Sequence, residues 1–430
     1  MQKNSLTLSH PSKKIKGEII LDGSKSISNR LLIISALCKN PFLIKNLSTS
    51  KDTETLSQLL AQMLAQKNNI YDANAAGTTF RFLTAFLAMQ PGTQTLTGTP
   101  RLCQRPIAPL VEVLNLLGAN IEYADQQGFA PLLIHEPTAD WGKNNSLQIP
   151  ADVSSQFVSA LLLIAPSLPR GLELTLIGEK TVSSPYINMT LQLLQTCGVA
   201  SVWNENTISI APQTYHVESD VSVEADWSAA AYYYEMATFA DEVDLTLVGL
   251  AANSLQSDAA MATLAERAFG VQTTFTDRGV RLQKNGKPPR ALVEYDFLDC
   301  PDLAQAVSIT CAGTGANGLF SGLETLHGKE TDRIAALKSE LLKLEVFFTK
   351  VPPRFASKTR NKIFYLQEKK ATFDQTKTPF FETYDDHRMA MSLAPLAILA
   401  DKIEIANPSI VEKSYPNYWK DLEKLGFQVV

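Results

Sequence analysis

The chain has 430 residues, 45% of them hydrophobic, and its 39 Lys and Arg against 44 Asp and Glu give a formal net charge of -5. Such a chain can bury large cores and suits two or three domains better than one. Its mildly acidic balance excludes a general electrostatic footprint for nucleic acid, so any cations that matter must be placed one by one.

In chain order, a short polar or glycine-bearing stretch leads six times into a helix-length run that is apolar almost all round. The first half supplies Gly23-Ser24-Lys25-Ser26 before 31–37, Ala76-Gly77-Thr78-Thr79 before 80–89 and Val153-Ser154-Ser155-Gln156 before 157–165. The second half supplies Ala225-Asp226-Trp227-Ser228 before 229–239, Cys300-Pro301-Asp302 before 303–311 and Asp385-Asp386-His387-Arg388 before 389–400. A helix apolar on every face has to be buried on every face. Each run is followed by a one-sided helix (53–64, 111–117, 191–196, 261–268, 334–344, 422–425), four of them ending at Gly118, Gly198, Gly270 or Gly426. The alternation predicts an α/β protein of two similar domains, each of three repeated α/β units with buried helices inside and amphipathic helices and strands around them. Counting units puts 24–224 in one domain and 1–23 with 225–430 in the other. The basic, proline-interrupted segment 350–370 reads as a surface excursion.

Cys38, Cys103, Cys197, Cys300 and Cys311 are scattered, and neither they nor the five histidines show ligand spacing. The expectation is free thiols in a reducing compartment and no metal. Residues 1–17 lack the apolar core of a signal peptide, and the runs at 159–166 and 389–400 are too short to span a bilayer. A cytoplasmic protein is expected.

Cations and hydroxyls gather at the starts of these helices. Lys25, Ser26 and Arg30 open the first buried helix, Arg81 lies one turn into the second, Ser154, Ser155 and Gln156 open the third, and His387 and Arg388 open the sixth. Arg105 precedes Pro106, Ser183 precedes Pro185, Lys329 and Arg333 bracket Glu330, and Lys413 precedes Pro416. A helix N-terminus already carries unpaired N–H groups and about half a positive charge, so cations there oppose helix stability. Their concentration makes sense if they face a common phosphate or carboxylate. Capping explains any single Ser, Thr or Asp in this set, but the whole constellation less well.

Two carboxylates, Asp302 and Glu330, stand among these cations. Paired acid and base groups in a cationic pocket suit a reaction in which one proton leaves a hydroxyl and another arrives at carbon. Spacing alone equally allows Glu330 as an ion-pair partner and Asp302 as a first-turn helix charge. The Gly23-Ser24-Lys25-Ser26 stretch is not a nucleotide P-loop, because the upstream glycine is wrongly spaced and Ser24 separates Gly23 from Lys25. Of the histidines, only His387, beside Arg388, is placed to touch a substrate.

Six motifs then occur in one order: Asp22 to Arg30, Ala76-Gly77-Thr78, Arg105-Pro106, Ser154-Ser155-Gln156, Lys329-Glu330-Thr331-Asp332-Arg333 and Asp386-His387-Arg388-Met389-Ala390-Met391. In them, and from about residue 21 to 427, the chain resembles the 3-phosphoshikimate 1-carboxyvinyltransferase (EPSP synthase) family, the target of glyphosate. The resemblance implies an enolpyruvyl transferase-like inside-out barrel in each domain, with the active site in the interdomain cleft and closure on ligand binding. It implies transfer of the carboxyvinyl group of phosphoenolpyruvate to the 5-hydroxyl of shikimate 3-phosphate by addition and elimination, a step towards chorismate and the aromatic amino acids. No cofactor is implied, and a monomer without nucleic-acid or membrane partners is expected.

By position, the resemblance gives Lys25, Ser26 and Arg30 to the shikimate side, Ser154, Ser155 and Ser183 to its phosphate, and Gln156 to a place between the substrates. Asp302 and Lys329 would contact ring hydroxyls, and phosphoenolpyruvate would lie against Lys25, Gly77, Arg105, Arg333, Arg388 and Lys413. Asp302 would accept a proton, Glu330 would donate one, and Lys25 could assist either step. Three departures bear on inhibitor affinity: Ala75 where the family often has Asn, Phe82 where Pro is common, and Thr325 where a substrate-contacting Asn is frequent. Ala75 and Phe82 are expected to border the phosphoenolpyruvate pocket. The sister family acting on UDP-N-acetylglucosamine fits less well, since Cys103 lies too close to Arg105-Pro106 to match its reactive cysteine. A non-catalytic anion binder would have no use for Asp302 and Glu330 among phosphates.

Overall fold

The computed structural model describes residues 4–40, 42–65, 68–178, 184–355, 362–374 and 376–430. Its contacts divide into two compact units, one of Gly23–Val223 and one of Met1–Asp22 with Glu224–Val430.

In the Gly23–Val223 unit the apolar runs form the helices Lys25–Leu37, Gly77–Leu87 and Ser155–Ile164, which pack on one another. Every residue of Gly77–Leu87 except Thr78 is buried, as an all-round apolar helix requires. A buried helix also solves a connection problem, because parallel strands need a long crossover. Ile70–Asp72 enters Gly77–Leu87 and Gln94–Thr97 leaves it to pair parallel with the first strand. Ser146–Pro150 and Leu172–Ile177 flank Ser155–Ile164 in the same way. One-sided helices, Ala108–Leu116 and Ser184–Thr196, then lead to strands that add antiparallel to each pair. Gly118 and Gly198 follow these helices at φ of +99° and +81°, a left-handed backbone that favours glycine and turns the chain towards the next strand.

The other unit repeats the scheme. Leu292–Asp296 and Asn317–Ser321 pair parallel around Ala304–Thr314, and Phe380–Phe381 and Ile403–Ala406 around His387–Leu393. Lys14–Ile20 pairs parallel with Glu242–Val248, placing the chain start beside the strand that follows Trp227–Phe239. Buried residues of the three central helices and the inward faces of the strands form one apolar core.

The first helix begins at Lys25, as expected of the residues that open it, with Ser24 at its N-cap making no side-chain cap bond. Two local readings change. The run at 389–400 is not one α-helix: His387–Leu393 gives way to a 3-10 turn over Ala394–Ile398, where Pro395 lacks the N–H an α-helix would use. The segment 350–370 is not wholly an excursion, since Lys350 and Tyr365 close an antiparallel pair. Among the described residues no helix is long and apolar enough to cross a membrane.

Candidate active site

In the unit containing the second half of the chain, the polar residues converge on Arg333. It is the first residue of the helix Arg333–Leu342, whose N-terminus Asp332 caps by accepting from the Ile334 and Ala335 amides at 3.1 and 3.0 Å. Arg333 is 1% exposed, and its guanidinium binds three carboxylates. Its Nε donates to Asp386 Oδ2 at 2.7 Å, its Nη1 to Asp302 Oδ1 at 3.0 Å and its Nη2 to Glu330 Oε2 at 3.0 Å. Planar geometry with five fixed donors is what lets one arginine do this.

The remaining oxygens meet further cations. Arg388 Nη2 lies 2.8 Å from Asp302 Oδ2, and Lys413 Nζ lies 4.0 Å from Glu330 Oε1. Asp386 also accepts from the Arg388 amide at 2.8 Å, so one carboxylate caps the His387–Leu393 helix and anchors Arg333. Burial by itself would push Asp302 up, but the charges of Arg388, Lys329 and Arg333 outweigh it and hold the carboxyl far below the usual range. His387 is buried, with Nδ1 3.9 Å from Asp386 Oδ1.

The Gly23–Val223 unit gathers a second set. Lys25 Nζ pairs with Asp52 Oδ2 at 3.1 Å. Arg30 is buried and donates to Thr190 Oγ1 at 2.8 Å, Ser159 Oγ at 3.0 Å and the carbonyls of Ser26 and Tyr186 at 2.8 and 3.2 Å. These acceptors carry no full charge, and burial pushes its pKa down to about 10. Phe82 packs under this guanidinium, 5.5 Å from it, so that departure bears on Arg30. Gln156 accepts from Arg81 Nη1 at 2.9 Å and donates to Thr78 Oγ1 at 3.1 Å, while Ser154 caps the helix that Ser155 and Gln156 open. A Cβ on Gly77 would fall 2.5 Å from Arg105 Nη1 and 2.7 Å from Arg81 Nη1, so the missing side chain is what admits both guanidinium groups. Arg105 Nε is buried with no hydrogen-bond partner among the described residues. Ser183 lies outside the described residues.

Sequence spacing thus singled out Arg81, Asp302, Glu330, Lys329, Arg333, His387, Arg388 and Lys413, whereas Asp52 emerges only from contacts, as do the parts played by Thr78 and Asp386 within their motifs. Asp386 had a signal, the carboxylate directly before two cationic or titratable residues at a helix start. Asp52 had none, because a first-turn Asp in the helix Lys51–Leu64 is adequately explained by the helix dipole.

Comparison with known proteins follows the same lines. The family model described as EPSP synthase (3-phosphoshikimate 1-carboxyvinyltransferase) matches residues 9–422. A protein of Bacteroides fragilis named 3-phosphoshikimate 1-carboxyvinyltransferase is 44% identical over 423 residues, 98% of each chain. One of the same name from Sulfurovum sp. is 32% identical, covering 98% of this chain and 99% of its own. An EPSP synthase structure from Acinetobacter baumannii superposes with a TM-score of 0.76 at 19% identity, covering 99% of this chain and all of that one, a likeness of fold.

Proposed function

The chain belongs to the EPSP synthase (3-phosphoshikimate 1-carboxyvinyltransferase) family, and from that premise we propose how its residues move the carboxyvinyl group of phosphoenolpyruvate onto the 5-hydroxyl of shikimate 3-phosphate. Asp302 takes the 5-hydroxyl proton as that oxygen attacks C2 of phosphoenolpyruvate. Glu330 delivers a proton to the methylene carbon, which becomes a methyl group in a tetrahedral adduct. Return of a methyl proton to Glu330, with cleavage of the C–O bond to phosphate, restores the double bond, and the departing phosphate takes the proton held by Asp302, which returns both carboxyl groups to their starting states.

The observation that carries this reading is the pair of carboxylates on separate nitrogens of Arg333, each with a further cation at its other oxygen. A binding site for anions alone gains nothing from carboxylates, whereas a double proton transfer needs two. The electrostatics also give the carboxylate a reason to change strength. With Arg388, Lys329 and Arg333 holding its pKa far down, Asp302 is a poor base. Substrate phosphates and carboxylates take up those cations' field, so Asp302 grows more basic only when both reactants are present.

Lys25, Ser26 and Arg30 hold the shikimate ring, Ser154, Ser155 and Ser183 its phosphate, and Lys329 a ring hydroxyl. Gln156 lies between the substrates, with His387 at their edge. Gly77, Arg105, Arg333, Arg388 and Lys413 hold phosphoenolpyruvate. Support comes from Arg30, buried without a carboxylate partner among the described residues, and from Arg105 Nε, which has no hydrogen-bond partner among them. The five free cysteines support a reducing, cytoplasmic setting. The test is phosphate release from shikimate 3-phosphate plus phosphoenolpyruvate: release that requires both is expected, and none from the pair would overturn the proposal.

A further inference from the structure

Asp258 is a buried carboxylate that the transfer chemistry above does not use. It lies in the 3-10 turn Ser257–Ala259 and is 2% exposed. The segment before it is braced on the start of the Trp227–Phe239 helix by Gln256, whose Oε1 accepts from the Trp227 amide at 3.0 Å and whose Nε2 donates to the Ala225 carbonyl at 2.8 Å. Asp258 thereby reaches Ser228, whose Oγ donates to Asp258 Oδ2. Helix capping does not explain the contact, because Asp226 already accepts from the Ser228 and Ala229 amides.

Ser228 has a second partner. Arg388 Nη2 reaches Ser228 Oγ at 3.4 Å, and the same nitrogen lies 2.8 Å from Asp302 Oδ2. A hydroxyl whose proton is committed to Asp258 must turn its lone pairs elsewhere, and here they face the guanidinium. We propose that Asp258 is a positioning residue for the transfer: through the Ser228 hydroxyl it fixes the Arg388 guanidinium that holds phosphoenolpyruvate. The inference rests on the reading of Arg388 given above.

The chemistry of Asp258 suits a fixed hydrogen-bond acceptor better than a counter-ion. Its Oδ1 is buried with no partner among the described residues, an arrangement costly for a full charge. Burial, followed by the charge of Asp302, pushes its carboxyl well up, so the neutral form is favoured more than in an ordinary Asp. An amide of the same shape should therefore replace it.

The experiment is steady-state phosphate release by the full chain, with phosphoenolpyruvate varied at saturating shikimate 3-phosphate and then the reverse. Asp258→Ala and Ser228→Ala should each lower kcat/KM for phosphoenolpyruvate by about 10- to 100-fold, the range for losing one hydrogen bond to a charged group. KM for shikimate 3-phosphate should move less than about 3-fold, and the double variant should be no worse than the poorer single one, since both break one linkage. Asp258→Asn should rescue to within about 3-fold of the parent. Additive losses, an Asn variant as poor as the Ala variant, or a Ser228→Ala enzyme of unchanged kcat/KM would each overturn the inference. Should Asp258→Ala fail to fold, Ser228→Ala and Asp258→Asn decide it alone. Absence of phosphate release by the parent enzyme would instead sink the proposed function.

Discussion

Glu330→Gln removes proton delivery while keeping the size and shape of the side chain. The Glu330 side chain is 16% exposed and accepts from Arg333 Nη2 at 3.0 Å, with Lys413 Nζ 4.0 Å from its other oxygen. A glutamine of equal size keeps one acceptor for Arg333 but can neither give nor take the proton. Removing the negative charge leaves Arg333 and Lys413 less neutralised, so affinity for an anion should hold or rise. The expected result is kcat at least about 100-fold lower, the low end for a positioned acid or base and equal to roughly 2.7 kcal/mol of barrier. KM for phosphoenolpyruvate should stay level or fall. Phosphate release measures the turnover, and solvent deuterium entering the product methylene should decline with it. Turnover within about 5-fold of the parent, in a folded variant, would refute the role of Glu330 and move the proton to another group.

Arg333→Leu should cost about 3–5 kcal/mol, because three carboxylates lose their common partner; urea unfolding checks this, and a loss under about 1 kcal/mol contradicts it. Glu235→Gln should stabilise the protein increasingly as pH rises. Burial in the Trp227–Phe239 helix pushes Glu235 far above its ordinary pKa, and neither carboxyl oxygen has a hydrogen-bond partner among the described residues. A raised acid contributes stability fully present below the unfolded-state pKa and lost as pH climbs towards the folded one. Each pH unit in that window above about 4.3 therefore removes about 1.4 kcal/mol from the parent alone, and parallel unfolding curves between pH 5 and pH 7 would exclude it. Gly77→Ala should raise KM for phosphoenolpyruvate by about 10-fold, or about 1.4 kcal/mol, since the methyl group must displace the Arg105 and Arg81 guanidinium groups; an unchanged KM in a folded variant would show that neither group binds it.

The apolar runs by themselves determined where the buried helices lie, because a helix such as Gly77–Leu87, without a polar face, has no stable exposed position. Ordered motifs determined the family, and the helix starts marked where cations concentrate. Where a run stopped being α-helical was less legible: 389–400 read as one helix, yet it turns 3-10 from Ala394, because Pro395 lacks an N–H that the α-helix would use.

Only tertiary structure decided which charges neutralise which. Arg333 joins Asp386 across 53 residues and Asp302 across 31. Phe82 against Arg30 and Asp258 against Ser228 are likewise products of packing. The reason is range: hydrophobic period and capping act within a few residues and can be read along the chain. Electrostatic partnership depends on distance and burial in space, which no local pattern encodes.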